Sequence, residues 1–528
     1  MDWVGGKWLV ENYQVKLAQR LRVISTIAKS RKTMETADST NQEFPESFRP
    51  ADTLAGHLTF LLKHEELHFE LLSRLFSTID PLELEAWIQN ESTGSYARRV
   101  GFLYEWFTGR HLNIEDLTQG NYIDAIDNEL YFAARQPESV KRWRIRNNLP
   151  GTRDFCPLVK ITADVKLAVN YDCTTALQGL EAQFGADVLL RSSVWLTIKE
   201  SRASFAIEHE EDREDRIKRF AMVMESRCGE LANPLSMSDL ESLQAEILGK
   251  NALTYGVRSS PVFVGHSAGY RDVVDYVAPH WTTTSSMLNG LSETLSKTHG
   301  NSPIVRATIA SFGFVYIHPM ADGNGRISRF LVNDILRRDG AVPKPFILPI
   351  SATITHSTIA RVGYDRSLEA FSKDLMLAYS QDVSFGSHVL YEDEINSNFH
   401  FSAYEQAEPA WRYPNLTSQV EYMGNVIRQT IEDEMVNEAM YLRNIHRARS
   451  AIKNIVEGPD AMIDRIISSI WTNKTVSNKL RKQFPIFAND GKSQEIVEAV
   501  LHAFRSDPAE GLFDDDDDEE VHSVTFRQ

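Results

Sequence analysis

Within one dozen residues, His318-Pro319-Met320-Ala321-Asp322-Gly323-Asn324-Gly325-Arg326-Ile327-Ser328-Arg329 brings together a base, a carboxylate, a glycine-flanked loop and two arginines. The chemistry open to such a set is the handling of a nucleotide phosphate chain. Histidine has an unperturbed pKa near neutrality, so His318 can take a proton from an incoming hydroxyl. Asp322 is a hard oxygen ligand and suits Mg²⁺ bridging phosphate oxygens. Gly323 and Gly325 let the backbone approach a phosphate closely, where side chains would crowd it. Arg326 and Arg329 are planar forks that can stabilise charge on transferred and departing phosphates.

Two helices must position these groups. Ile304, Val305, Ala307, Ile309, Phe312 and Val315 recur at near-helical spacing, which predicts a buried helix ending at His318, because Pro319 disfavours helical continuation. A second helix opens at Asn324 or Gly325, carries Ile327, Phe330, Leu331, Ile335 and Leu336, and closes at Gly340. An anion at its start would meet unpaired N–H groups and the positive end of the helix dipole, with Arg326 and Arg329 on one face.

The string resembles the signature of the Fic family, H-P-F-x-D/E-G-N-G-R-x-x-R, with Met320 in place of Phe at a position expected to pack the loop. The resemblance implies a mainly α-helical core with a β-hairpin flap. It also implies an adenylyltransferase that moves AMP from ATP to a Ser, Thr or Tyr hydroxyl of a target protein or of itself. His318 would be the base, Asp322 would hold Mg²⁺, and Gly323, Asn324, Gly325, Arg326 and Arg329 would hold ATP. Upstream, Ser204-Phe205-Ala206-Ile207-Glu208-His209 resembles the family's inhibitory motif S/T-x-x-x-E-G/N. That implies that Ser204 and Glu208 belong to an inhibitory helix and that Glu208 pairs with Arg329 where the γ-phosphate must go. His209 departs from the small residue of the motif, and the expectation is a helix that continues through it. A plain alternative is that Glu208, with Glu210, Glu211, Asp212, Glu214 and Asp215, forms a solvated face.

Between the two motifs, Ser238-Asp239-Leu240-Glu241 reads as a capping box opening a helix that stops near Gly249. From 255 to 281 two β-rich runs, Val262-Phe263-Val264 and Val273 to Val277, suggest a hairpin. By resemblance it is the flap, with Val262, Phe263 and Val264 docking an extended target segment by strand addition.

The chain has 528 residues, 42% hydrophobic, and a net charge of −17, which disfavours nucleic acid as a partner. No apolar run spans a bilayer and no signal-peptide pattern opens the chain, so a cytoplasmic location without membrane contact is expected. Cys156, Cys173 and Cys228 are scattered, which fits buried thiols better than disulfides. His64-Glu65-Glu66-Leu67-His68 has zinc-binding spacing if one helix runs from Leu54 to Phe76, but the surrounding leucines read as an ordinary packed face. The expected organisation is a helical N-terminal domain over 1–195, the inhibitory helix over 196–220, the catalytic core over 221–385, a helical region over 386–505, and a disordered acidic tail over 506–528. Homo-oligomerisation through the helical flanks is one route to relief of inhibition. Competing readings are transfer of another nucleotide, removal of AMP at the same site, and a non-catalytic ATP-binding scaffold.

Overall fold

A computed structural model describes residues 2–36, 39–210, 213–249, 254–268 and 271–505. The acidic tail over 506–528, and Glu211 and Asp212 of the acidic run, lie outside the described residues. The fold is mainly α, with small sheets and hairpins. No described helix is long and apolar enough to cross a membrane.

Three large hydrophobic cores organise the described residues, beside a small cluster of Val4, Phe44 and Phe60. The first joins Leu58, Leu61, Leu72, Leu75, Val100, Leu103 and Trp143 from the N-terminal helices. That region is less purely helical than the apolar spacing suggests. It holds a four-stranded sheet ordered Trp3–Val4, Val23–Ala28, Thr40–Pro45, Lys32–Glu35, and a three-stranded one built on Ile145–Asn147. The second core takes over near residue 155, with Phe155, Val165, Leu180 and Leu196 buried alongside the helices of the signature. The third comprises Ile463, Ile467, Phe487, Val500 and their neighbours near the C-terminus.

The single helix expected from Leu54 to Phe76 is two helices, Leu54–His64 and Phe69–Thr78. The zinc-like spacing straddles the break. Glu65 caps the end of the first helix, and His68 caps the second, its Nδ1 accepting from the Leu71 N–H at 3.1 Å. His64 packs among Phe44, Phe48 and Phe60. The two histidines therefore do other work, and no cluster of three or more potential metal ligands occurs among the described residues.

The second core positions the site. Pro303–Ile317, here the base helix, is buried nearly all round, with Ile304, Val305, Ala307, Ile309 and Phe314 at 0–1% exposure. Its one arginine, Arg306, is neutralised by Asp339 at 2.5 Å, which ties this helix to the end of Asn324–Arg338, here the anion helix. Helices Trp281–Lys297 and Thr417–Gln429 pack against the base helix on other sides. The capping box sits two residues earlier than the sequence suggests: Ser236 accepts from the Asp239 N–H, and the helix runs Met237–Leu248 to a cap at Gly249.

The flap is a hairpin of Phe263–Ala268 with Arg271–Val277 in antiparallel register, Phe263 facing Val277. A second hairpin, Val383–Leu390 with Asn396–Phe401, interrupts the stretch read as continuing helix. It is short and mostly exposed, so it lacked the alternating apolar pattern that marks a half-buried strand. Phe263 of the flap stacks on Phe399 of this hairpin at 4.7 Å. All three cysteines are free and buried.

Candidate active site

His318 lies at the end of the base helix in the left-handed conformation, φ 49°, with its N–H donating to the Phe314 carbonyl at 2.9 Å. The left-handed turn swings the imidazole off the helix axis into the loop that follows. Nδ1 faces the Val315 carbonyl at 3.2 Å. A carbonyl only accepts, so the proton belongs on Nδ1, and Nε2 keeps its lone pair. Burial, reinforced by the nearby Arg258 guanidinium, lowers the His318 pKa to about 4 against the opposing pull of the Val315 carbonyl and Glu208. At neutral pH the ring is uncharged, the state a general base requires.

The loop after it is folded on itself by Asn324. The Asn324 side chain accepts from the Met320 N–H at 3.0 Å and donates to the Met320 carbonyl at 2.7 Å, so both ends of the amide serve loop shape. Met320 is fully buried, as expected of the loop-packing position. Gly323 takes φ 88° to start the anion helix. Gln244 donates to the Asp322 carbonyl at 2.9 Å from outside the loop. The Asp322 carboxylate is 49% exposed, and both its contacts, from the Gly323 N–H and from Arg326 Nη2 at 2.8 Å, use Oδ1. One exposed carboxylate is a donor set that suits Mg²⁺, which retains water and takes phosphate oxygens rather than a full protein cage.

The two arginines are both engaged by the turn that ends Ala186–Ile207, here the arm helix. Arg329 donates from Nε to Ser204 Oγ at 2.7 Å, and from Nη2 to the Ser204 carbonyl at 2.9 Å and to Glu208 Oε1 at 2.8 Å. Arg326 Nη1 pairs with Glu210, which Arg216 also holds. A methyl group at Gly325 would lie 2.0 Å from Glu208 Oε1, so this carboxylate rests directly on the first turn of the anion helix. It stands where an anion is favoured by free N–H groups and the helix dipole. Burial pushes the Glu208 carboxyl up, but Arg329, with Arg326 and His318 behind it, holds it below the ordinary carboxylate value. Among the described residues, Arg326 Nε is buried without a hydrogen-bond partner, and Arg329 Nη1 lies 3.2 Å from where a Gly325 methyl would sit.

The arm helix does not run on through His209. It ends at Ile207, and His209 adopts φ 57°, the conformation for which a Gly or Asn would be chosen. The next helix is Glu214–Arg227, so the segment expected as one helix over 196–220 is two, with the turn at the arginines. The solvated-face reading fails for Glu208 and Glu210, since each contacts a signature arginine.

Of the flap residues, Phe263 packs on the second hairpin, Val262 sits at the hairpin's foot with its carbonyl accepting from the Ala278 N–H, and Val264 is exposed. Three participants had no sequence signal. Glu210 was hidden in the acidic run, and Gln244 and Arg258 belong to no motif. Glu200, deep on the arm helix, receives both the Ser351 N–H and hydroxyl at 2.6 Å and so docks the arm on the start of helix Ile350–Thr355.

The Fic/DOC family matches residues 234–336, which take in the flap, the base helix, the loop and nearly all of the anion helix. This part of the chain is a Fic domain. Protein adenylyltransferase fic-1 of Caenorhabditis briggsae is 32% identical over 120 residues, 22% of each chain. Its Caenorhabditis elegans counterpart is 32% identical over 127 residues, again 22% of each. The similarity thus spans about a fifth of the length of these curated relatives. Among solved structures, a Fic family protein from Desulfovibrio desulfuricans G20 is 19% identical over 55% of this chain and 80% of that one, with a TM-score of 0.35. The arm helix with Glu208 and Glu210 lies N-terminal to the Fic domain and reaches into it from outside the matched residues.

Proposed function

We propose that the protein is an adenylyltransferase that transfers AMP from ATP to a hydroxyl side chain of a protein, and that the turn after the arm helix holds it in check. The observation that carries this reading is the Glu208 carboxylate seated on Gly325 and Arg329, an anion already in the phosphate place beside a neutral histidine. With that carboxylate withdrawn, the free N–H groups at the start of the anion helix, Arg326 and Arg329 would receive the phosphates of ATP. Mg²⁺ held by Asp322 would supply countercharge to the β- and γ-phosphates.

The chemical step asks little more of the chain. The target hydroxyl oxygen forms a bond to the α-phosphorus, the bond from that phosphorus to the bridging oxygen breaks, and pyrophosphate leaves. The hydroxyl proton passes to His318 Nε2, whose lone pair is kept free by the Nδ1 contact with Val315. Arg326 and Arg329 would stabilise charge accumulating on the departing pyrophosphate. A target strand added to the exposed edge of the flap would bring its hydroxyl into register without a demanding sequence. The brake has two contacts, Glu208 on Arg329 and Glu210 on Arg326, and both must yield before both forks are available to phosphate.

The test is intact-mass spectrometry of the purified chain and of lysate proteins after incubation with ATP and Mg²⁺, for wild type, Glu208→Gly and His318→Ala. An AMP-sized gain that grows in Glu208→Gly and vanishes in His318→Ala is expected. A different nucleotide-sized gain when other triphosphates are offered would change the donor. Silence of every form with every nucleotide would move the protein to the class of ATP-binding scaffolds.

A further inference from the structure

Arg258 is a buried cation, 2% exposed, whose part in the site so far is only its field at His318. Its guanidinium gives one hydrogen bond to each of three carbonyls: Nε to His318 at 2.8 Å, Nη1 to Ser260 at 2.8 Å, and Nη2 to Pro279 at 2.7 Å. Ser260 lies three residues before the first strand of the hairpin and Pro279 two residues after the second. The backbone joins in, since the Arg258 N–H donates to the Pro319 carbonyl at 2.9 Å and Val257 forms an antiparallel bridge with Met320. One planar fork therefore closes the foot of the hairpin and grips the residue that carries the base.

We propose that Arg258 is a positioning residue that couples the flap to the His318 loop, so that a strand laid on the flap and the base acting on its hydroxyl share one register. This rests on the reading of His318 as the base and of the flap as the docking edge. Burying a charge against neutral acceptors alone is costly. The carboxylate that acts on this cation, Asp393 at the tip of the second hairpin, is engaged by the Ser259 N–H and the Ser260 hydroxyl at 2.8 and 2.7 Å. The Tyr276 and Tyr404 hydroxyls also act on the guanidinium, and the guanidinium in turn acts on the His280 ring. What a cation gives here that a neutral donor would not is a field at His318 that adds to burial in keeping the imidazole uncharged, against the opposing pull of Glu208. The geometry explains the fork, and the field explains the charge. Phe263, at the same foot, packs on Phe399 and Phe385, so the base of the hairpin is held by the second hairpin as well as by the guanidinium fork.

The experiment uses the full chain without nucleotide, so its outcome does not depend on whether AMP transfer is ever observed. The His318 ring signal of ¹³C-histidine protein, assigned by its loss in His318→Ala, is followed from pH 8 to 3 in wild type, Arg258→Gln and Arg258→Lys. Hydrogen exchange is read in parallel over 257–279 and 316–327, with Asp460–Asn473 as a distant reference. Wild-type His318 should titrate with a midpoint near 4. In Arg258→Gln its midpoint should rise by about one pH unit or more, and exchange should rise in both segments together. Arg258→Lys should keep the midpoint within about half a unit of wild type while exchange still rises in both segments, because one ammonium cannot serve three converging carbonyls. An unmoved midpoint in Arg258→Gln, exchange that rises in only one segment, or a uniform rise that includes the reference would overturn the proposal. Should Arg258→Gln fail to fold, Arg258→Lys decides alone: paired loosening with an unmoved midpoint supports the coupling, and any other pattern refutes it.

Discussion

Removing the two carboxylates of the turn, singly and together, measures the brake contact by contact. Glu208 meets Arg329 through one hydrogen bond of 2.8 Å, with the carboxylate side chain 34% exposed and the guanidinium 3% exposed. A charge-assisted hydrogen bond contributes about 1.5–3 kcal/mol, and partial exposure reduces this to about 1–2 kcal/mol. At 1.4 kcal/mol per decade, Glu208→Gly should tighten ATP binding by about 5- to 30-fold. Arg329 is not left bare in that variant, since Ser204 still takes two of its hydrogen bonds. Glu210 divides itself between Arg326 and Arg216 and is itself 29% exposed, so Glu210→Gln should yield only about 2- to 5-fold, near 0.5–1 kcal/mol. The arginines are distinct, so the double variant should approach the product, between about 10- and 150-fold. The assay is titration calorimetry with Mg-ATP, all variants carrying His318→Ala so that no turnover intrudes. A Glu208→Gly affinity within twofold of its parent would refute the competition of carboxylate with phosphate. A Glu210→Gln effect larger than that of Glu208→Gly would show that the wrong pair was ranked first.

His318→Ala should cut AMP transfer by at least about 100-fold while leaving ATP binding within about twofold; equal loss of binding would mean that the ring holds nucleotide instead of moving a proton. His209→Asn places a residue at ease with positive φ in the left-handed turn and should stabilise the brake by about 0.5–1 kcal/mol, weakening ATP binding about 2- to 5-fold; tighter binding would contradict it. Asn324→Ala removes both hydrogen bonds to Met320 and should cost about 1–3 kcal/mol in a denaturant melt, with transfer falling as the loop opens; an unchanged melt would show that the loop keeps its shape without them. Burial raises the Glu200 carboxyl to about 7, partly offset by Ser351 and Arg329. Between the ordinary carboxylate range and pH 7 the folded chain thus retains a proton that the unfolded chain has lost, so stability falls as pH rises through this window and levels off above it. Glu200→Gln should flatten that slope, and parallel melting curves for both forms across pH 4.5 to 7.5 would refute it.

The sequence by itself determined the parts of the site that are local. The base helix ending at His318, the anion helix opening at Asn324, the burial of Met320 and the flap hairpin are all consequences of residue type at short range: apolar spacing, a proline stop, glycines where the chain turns, and β-branched runs. What only the tertiary structure decided is which charge meets which. Glu208 was marked only by its resemblance to the inhibitory motif, and nothing in the spacing of the acidic run sets Glu210 apart from exposed Glu214 and Asp215. Glu208 and Glu210 become partners of Arg329 and Arg326 because the arm helix is docked by Glu200 on Ser351 and ends at a left-handed His209, more than a hundred residues before the arginines it reaches. The break between Leu54–His64 and Phe69–Thr78 was hidden for a related reason. Its helical periodicity is continuous across Glu65 to His68, while the side chains at the break are held by distant groups, with Gly6 donating to Glu65 and His68 bonding to Gln19. Periodicity reports the face that a segment buries. It does not report the distant groups that stop a helix, hold a carboxylate in place of phosphate, or set Arg258 behind the base, because those are fixed by packing between elements that are far apart in the chain.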